Sequence, residues 1–194
     1  MLEFYPLGGY PISDAEYFIS RGRARKKLSL KSDEIVLVQS GKQNHRKKLI
    51  EALRAFQAVK NEKLRLFIAG SIDKEIEIEA RLLISQDTRI DFVGWQSPSD
   101  LTDLLCAADV YLQPGTQSAT MQHSLCCRCA IILDDVPAHS VYFKKNGWLI
   151  KEQRDLERIF DELPFSDFEE MKERSFAIAK EMLDYRVLAR RVLI

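Results

Sequence analysis

Residues 34–70 read "EIVLVQSGKQNHRKKLIEALRAFQAVKNEKLRLFIAG", and this stretch decides the fold. "EIVLVQS" (34–40) is a compact β-branched and apolar run, the pattern of a buried strand. "HRKKLIEALRAFQAVK" (45–60) sets Leu49, Leu53, Phe56 and Val59 on one face at helical spacing. "LRLFIAG" (64–70) is a second buried strand, ending in Gly70. A strand, a helix and a strand in this order make a right-handed crossover between parallel strands.

The same alternation continues toward the C-terminus. "EIEIEARLLISQ" (75–86) reads as a helix despite its strand-like start, and "RIDFVGW" (89–95) as the third strand. "SDLTDLLCAA" (99–108) is a helix with Ser99 as its N-cap and Leu101, Leu104, Leu105 and Ala108 turned inward. "DVYLQP" (109–114) is the fourth strand, "SATMQHSLCCR" (118–128) a helix, "CAIIL" (129–133) the fifth strand and "GWLI" (147–150) the sixth. Three helices, within 152–163, 166–183 and 184–194, finish the chain. On the other side, residues 1–20 carry Pro6, Gly8, Gly9 and Pro11 and read as an irregular lead-in, followed by a short helix at 21–30. The pattern predicts a single α/β domain built on a doubly wound parallel sheet of about six strands. Ligands of such sheets bind beyond the carboxyl ends of the strands, so the loops after Ser40, Gly70, Gly94 and Pro114 matter most.

The chain has 194 residues and a hydrophobic fraction of 46%, enough for a proper core. Its 29 basic and 29 acidic residues balance, which leaves no global field for nucleic acid. Basic residues cluster at 21–27 and 45–48, and the first cluster reads as a solvated face. No run of 18 apolar residues and no secretory leader is visible, so the expected location is cytoplasmic or on the cytoplasmic side of a membrane. Cys106, Cys126, Cys127 and Cys129 lack the two separated ligand pairs of a metal site and read as buried free thiols.

"VYLQPGTQSATMQHSLCC" (110–127) holds no charged residue. Two readings stand side by side. A helix beginning near Gln117 or Ser118, free of acidic side chains, presents N–H groups and a positive dipole end to a phosphate, with Thr116, Ser118 and Thr120 adding hydroxyls. Alternatively, this is the central helix of the sheet, uncharged because it is buried. "SGKQNHRKK" (40–48) favours the first, because Lys42, Arg46 or Lys47 approach the same anion from across the crevice.

These segments, taken in order, resemble the C-terminal, donor-binding domain of GT-B glycosyltransferases, in particular the retaining family 4, or glycosyl transferases group 1. "LRLFIAGS", "RIDFVGW", "DLLCAADVYLQPG", "HSLCCRCAIIL" and "FKKNGWLI" carry the resemblance, which covers nearly the whole chain. It implies a linker and lead-in helix at 1–30, a Rossmann-like nucleotide-sugar domain at 31–182, half of a GT-B fold, and a C-terminal crossing helix at 183–194. It implies sugar transfer from a nucleotide-sugar, which is a substrate; no cofactor and no metal are called for. Gly41 and Lys42 match a Gly-basic pair near the diphosphate, and Lys47 a second basic residue, with Arg46 or Asn44 as alternatives. Lys42 and Lys47 are then the residues that neutralise the leaving diphosphate. Ser118, Ala119 and Thr120 offer backbone N–H groups to phosphate. Gly94 and Trp95 lie beside the base, and Ser71 closes the second strand at the donor site. The family's two glutamates, eight positions apart, are absent. His123 aligns with the second, the usual ribose ligand, with Gln122 beside it as another candidate, and the first falls near Gln117 or Ser118. The acceptor-binding N-terminal domain is expected in the same full-length chain or in a separate subunit, with peripheral membrane association of the whole.

Overall fold

The computed structural model describes residues 5–192. Residues 1–4 of the expected lead-in and 193–194 of the expected crossing helix lie outside the described residues. The six predicted strands are all present: β1 (Ile35–Gln43), β2 (Leu64–Ile72), β3 (Ile90–Gly94), β4 (Val110–Gln113), β5 (Ala130–Asp134) and β6 (Gly147–Ile150). They form one sheet in the order β3-β2-β1-β4-β5-β6, with every neighbouring pair parallel. The order reverses between β1 and β4, so the crevice of this doubly wound sheet opens there.

Alternate residues of the strands feed two cores. Leu37, Leu66, Ile68, Leu112 and Ile132 face α2 (Leu49–Ala58), α3 (Lys74–Ser85) and α7 (Gln153–Glu162). Val38, Phe67, Tyr111 and Ile131 face α1 (Asp14–Lys27), α4 (Pro98–Ala107), α5 (Ala119–Cys126) and α8 (Phe168–Ile178). Strands buried on both faces explain the unbroken apolar runs, and each fully buried Leu, Ile or Phe contributes about 1.5–3 kcal/mol. A short α6 (Pro137–Ser140) fills the loop after β5, and α9 (Tyr185–Val192) closes the described chain. All four cysteines are buried and free, and burial pushes the Cys126 thiol up to about 12.

Four local expectations are corrected. The lead-in is not irregular up to residue 20, because α1 starts at Asp14. Ser13 caps it, its Oγ accepting the Glu16 N–H while Glu16 Oε2 accepts the Ser13 N–H at 3.2 Å. The basic run in α1 is not simply a solvated face. Arg21 donates to the Cys106, Ala107 and Ala108 carbonyls at the end of α4 and to Asp109 Oδ1 at 2.7 Å. The helix expected from His45 begins only at Leu49, after a 3-10 turn at His45–Lys47 and a left-handed Lys48 (φ 51°). The strand before it runs on to Gln43, so Gly41 and Lys42 belong to β1. Ser97, not Ser99, caps α4, since Pro98 takes the first helical turn without needing an N–H donor.

Candidate functional site

The site is built on α5 and the loops around its first turn. Strand β4 ends at Gln113, and Pro114–Gly115 turns the chain toward Ser118, which caps α5 by accepting the Met121 N–H at 3.3 Å. By helix geometry the N–H groups of Ala119 and Thr120 have no intrahelical acceptor and stand open to a ligand. Thr116, Gln117 and Ala119 are exposed, while Gln113, Met121 and Leu125 are buried. The loop is therefore open to solvent, while β4 and the inner face of α5 are buried, as the second reading of the uncharged segment expects.

The turn is held from below by the end of β1 and the following 3-10 turn. A Cβ on Gly115 would lie 2.0 Å from the Arg46 carbonyl oxygen, so only glycine lets the two loops meet. The Thr116 N–H donates to that same oxygen at 2.8 Å. Lys47 Nζ donates to the Gln117 carbonyl at 3.0 Å and also to that of Thr116. Lys47 is thus half-buried rather than fully exposed, and that burial lowers its ammonium pKa. Ser118 Oγ donates to Gln113 Oε1 at 2.8 Å, which commits its proton to the fold.

Across the crevice, Gly41 (φ +113°) pairs in register with Gly70 (φ +112°), and Lys42 with Ser71. A Cβ on Gly70 would lie 2.1 Å from the Gly41 carbonyl oxygen, whereas one on Gly41 would meet only Thr120 Oγ1, at 3.9 Å. Gly41 therefore leaves open space in front of α5. Lys42 points into solvent, 3.3 Å from Asp73.

Three hollows converge on the start of α5. A slot of about 130 Å³ runs between Gly41, Gly70, Trp95 and Thr120, and its Trp95 is 81% exposed. A cleft of about 940 Å³ shares Leu101 and Thr120 with the slot and reaches His123. A third hollow, of about 330 Å³, lies between Tyr5–Leu7 and Gln117–Ala119. Thr102 Oγ1 donates to the Pro98 carbonyl at 2.9 Å, so it accepts from His123 Nε2 at 3.2 Å, which puts a proton on that nitrogen. Burial lowers the His123 pKa, in keeping with a neutral ring.

Gly41, Trp95 and Thr120 line the slot and Gln117, Ser118 and Ala119 the third hollow, while His123 stands one helical turn further along α5. Lys42, Ser71 and Gly94 line none of the three hollows and sit beside the slot only as the ends of β1, β2 and β3. Gln122 differs: it is 3% exposed, with both ends of its amide bonded inside the protein. Arg46 lends its backbone carbonyl to the loop contact, and Asn44 caps the 3-10 turn. Sequence reasoning missed Gln96, Leu101, Thr102 and Tyr142. The first three were within reach, since they follow Gly94 and open α4; Tyr142, in an irregular loop, carried no signal.

The solved structures most similar to the chain share its fold at low identity. Anabaena HepE, crystallised with UDP and glucose, superposes with a TM-score of 0.77 at 15% identity over 95% of this chain and 52% of that one. WaaG, a glycosyltransferase of lipopolysaccharide biosynthesis, gives 0.75 at 19% identity over 95% and 54%. The C-terminal domain of the group 1 glycosyl transferase LpcC from Francisella tularensis gives 0.72 at 15% identity over 91% and 96%. The chain spans about half the length of HepE and WaaG and nearly all of the LpcC domain. No curated protein matches it significantly. The family model for glycosyl transferases group 1 matches residues 20–166, most of the chain from the first basic cluster to beyond α7. The fold is one half of a GT-B architecture, and the chain belongs to the glycosyl transferases group 1 family.

Proposed function

We propose that this chain is the donor-binding half of a glycosyltransferase that moves a sugar from a nucleotide-sugar to an acceptor. The observation that carries the reading is the open, carboxylate-free start of α5, where three hollows meet opposite Gly41 and Lys42. In this reading the diphosphate lies over the Ala119 and Thr120 N–H groups. The nucleoside occupies the slot beside Gly94 and Trp95, with its ribose toward His123. The sugar turns toward Gln117. Lys42, Lys47 and the helix dipole stabilise the charge that develops on the leaving diphosphate, and positioning supplies the rest of the rate. Retention of anomeric configuration follows family 4 behaviour. The UDP complex of HepE and the UDP and GlcNAc complex of pneumococcal GtfA support a nucleotide-sugar donor.

The acceptor half is a second domain, in the same full-length chain or in another subunit, and the described domain alone does not complete transfer. WaaG's role in lipopolysaccharide biosynthesis supports a setting in envelope polysaccharide or glycolipid synthesis, at the inner face of the membrane. Among the described residues no helix is long and apolar enough to cross a membrane.

Titration calorimetry with uridine and guanosine diphosphates tests the proposal. One of them should bind, and the Lys42→Ala, Lys47→Ala double variant should bind about tenfold more weakly, the loss expected for one charge-assisted contact. Unchanged affinity in the double variant removes both lysines from the site. A second reading, a sugar-nucleotide-binding module without chemistry, is favoured by the neutral side chains of Gln117, Gln122 and His123 on and before α5. Turnover of a nucleotide-sugar by the full-length or paired protein separates the two.

A further inference from the structure

The segment Tyr5–Tyr10 and α9 are fastened together. The Gly9 N–H donates to the Leu183 carbonyl at 2.7 Å, the Tyr185 N–H donates to the Gly9 carbonyl at 3.1 Å, and the Tyr5 hydroxyl donates to the Leu188 carbonyl at 2.9 Å. Gly8 has φ +83°, and a Cβ there would strike the Tyr185 ring at 2.7 Å. These two pieces form a strap whose Tyr5–Leu7 line one side of the 330 Å³ hollow, with Gln117–Ala119 on its other side. One buried side chain joins the walls. Gln122 Oε1 accepts the Gly8 N–H at 3.2 Å, and Gln122 Nε2 donates to the Tyr142 hydroxyl at 2.9 Å. Tyr142 in turn lines the hollow together with Gln117, whose amide lies close enough to act on the Tyr142 hydroxyl.

We infer that Gln122 and Tyr142 are positioning residues, a hydrogen-bonded relay that couples the strap to the loop opening α5. The physical reason is the one-sided choice facing a buried carboxamide. Gln122 is 3% exposed and cannot exchange a lost partner for water, so displacement of either neighbour costs the other. A strap that moves away from α5 takes the acceptor of the Gly8 N–H out of line, frees the amide to turn, and loosens Tyr142 and then Gln117. A ligand that fixes Gln117 acts in the opposite direction, and the two couplings are equal by linkage. The second half of this inference, that a nucleotide is the ligand which tightens the strap, rests on the donor reading above; the relay itself does not.

Amide hydrogen exchange resolved at Gly8 by NMR decides it in two arms. In the ligand-free protein, Tyr142→Phe removes one hydroxyl and leaves the Gly8 acceptor in place. A relay predicts Gly8 exchange at least about threefold faster, the size of a few tenths to one kcal/mol in local opening. Unchanged Gly8 exchange in a folded Tyr142→Phe protein overturns the relay, because a merely local Gly8–Gln122 bond would not sense the missing hydroxyl. In the second arm, saturating uridine or guanosine diphosphate should slow Gly8 together with Ala119–Met121. In Gln122→Met, which keeps the volume and removes both bonds, the nucleotide should slow Ala119–Met121 alone. Nucleotide protection confined to α5 in the unaltered protein also overturns the coupling. If neither nucleotide protects α5, the donor reading falls, while the Tyr142→Phe arm still decides the relay.

Discussion

Two basic clusters in this chain look alike as text and behave differently in the fold. "RGRARKK" (21–27) lies on α1, and "HRKK" (45–48) on the turn between β1 and α2. In the first, Arg21 and Arg25 close around Asp109, which is 5% exposed and also receives Lys172 Nζ at 3.4 Å. Asp109 Oδ2 further accepts the Val36 N–H at 2.9 Å and so ties the start of β1 to the network. Each cation in that ring already faces a carboxylate: Arg21 and Arg25 share Asp109, and Lys172 also meets Glu169 at 2.9 Å. In the second cluster Lys48 is matched by Asp134 at 2.8 Å, but among the described residues Lys47 Nζ donates to carbonyl oxygens of the loop before α5 and meets no carboxylate. A cation facing neutral dipoles keeps its charge available for an incoming anion; one closed against a buried carboxylate does not, whereas an exposed pair such as Lys42–Asp73 exchanges its partner readily. Charge density along the chain is thus a poor guide to anion binding, and prior neutralisation is the better one.

The largest effect should come from breaking the first cluster. Asp109→Ala leaves buried cations without a partner and the Val36 N–H unpaired, and should cost about 3–5 kcal/mol in urea unfolding. A loss below about 1 kcal/mol would show the ring to be solvated in solution and erase the contrast. Next, Ser118→Asp sets a negative charge at the opening of α5 while retaining a good N-cap, so the fold should hold. Nucleoside diphosphate affinity should fall about tenfold or more, read by calorimetry. Equal or tighter binding would sink the anion seat. Third, Lys42→Ala should change stability by less than about 1 kcal/mol, since the Lys42–Asp73 pair is exposed, with the lysine side chain at 70%. The Asp109 and Lys42 variants, measured in one buffer, give the comparison its scale.

The smallest effect concerns pH. Burial lowers the His123 pKa, so the unfolded chain binds the His123 proton more readily than the folded one. Its contribution to stability is complete above the unfolded value, near 6.5, and is lost as pH falls from there through the folded value. His123→Gln should flatten the decline in melting temperature between about pH 7 and 5. An identical slope in both proteins would place His123 in solvent.

The strand and helix sequence was legible because burial on both faces leaves unbroken apolar runs, as in "EIVLVQS" and "LRLFIAG". Boundaries that depend on a cap were legible only in part. "SDAE" (13–16) spells the capping box of α1, yet Pro11 and the glycines before it masked the start. At the strand tips of the candidate site, Gly41 and Ser118 each line a hollow. The orientation of its side chains was not legible. Gln117 and Gln122 are the same residue type five positions apart, but one is exposed at the rim and the other is sealed between Gly8 and Tyr142.

By itself the amino-acid sequence determined that the chain forms a doubly wound parallel sheet and that its glycines and uncharged helix start stand at the strand tips. Those follow from periodicity and backbone geometry, which are local properties. Only the tertiary structure decided which cations are already neutralised, that Ser118 spends its proton on Gln113, and that Gln122 faces the strap. Apart from the Ser118–Gln113 bond, whose partners are five residues apart, each of these depends on a partner far away in sequence: residues 21 and 109, 47 and 117, 8 and 122. Long-range contacts are set by how layers pack, and no local pattern encodes them.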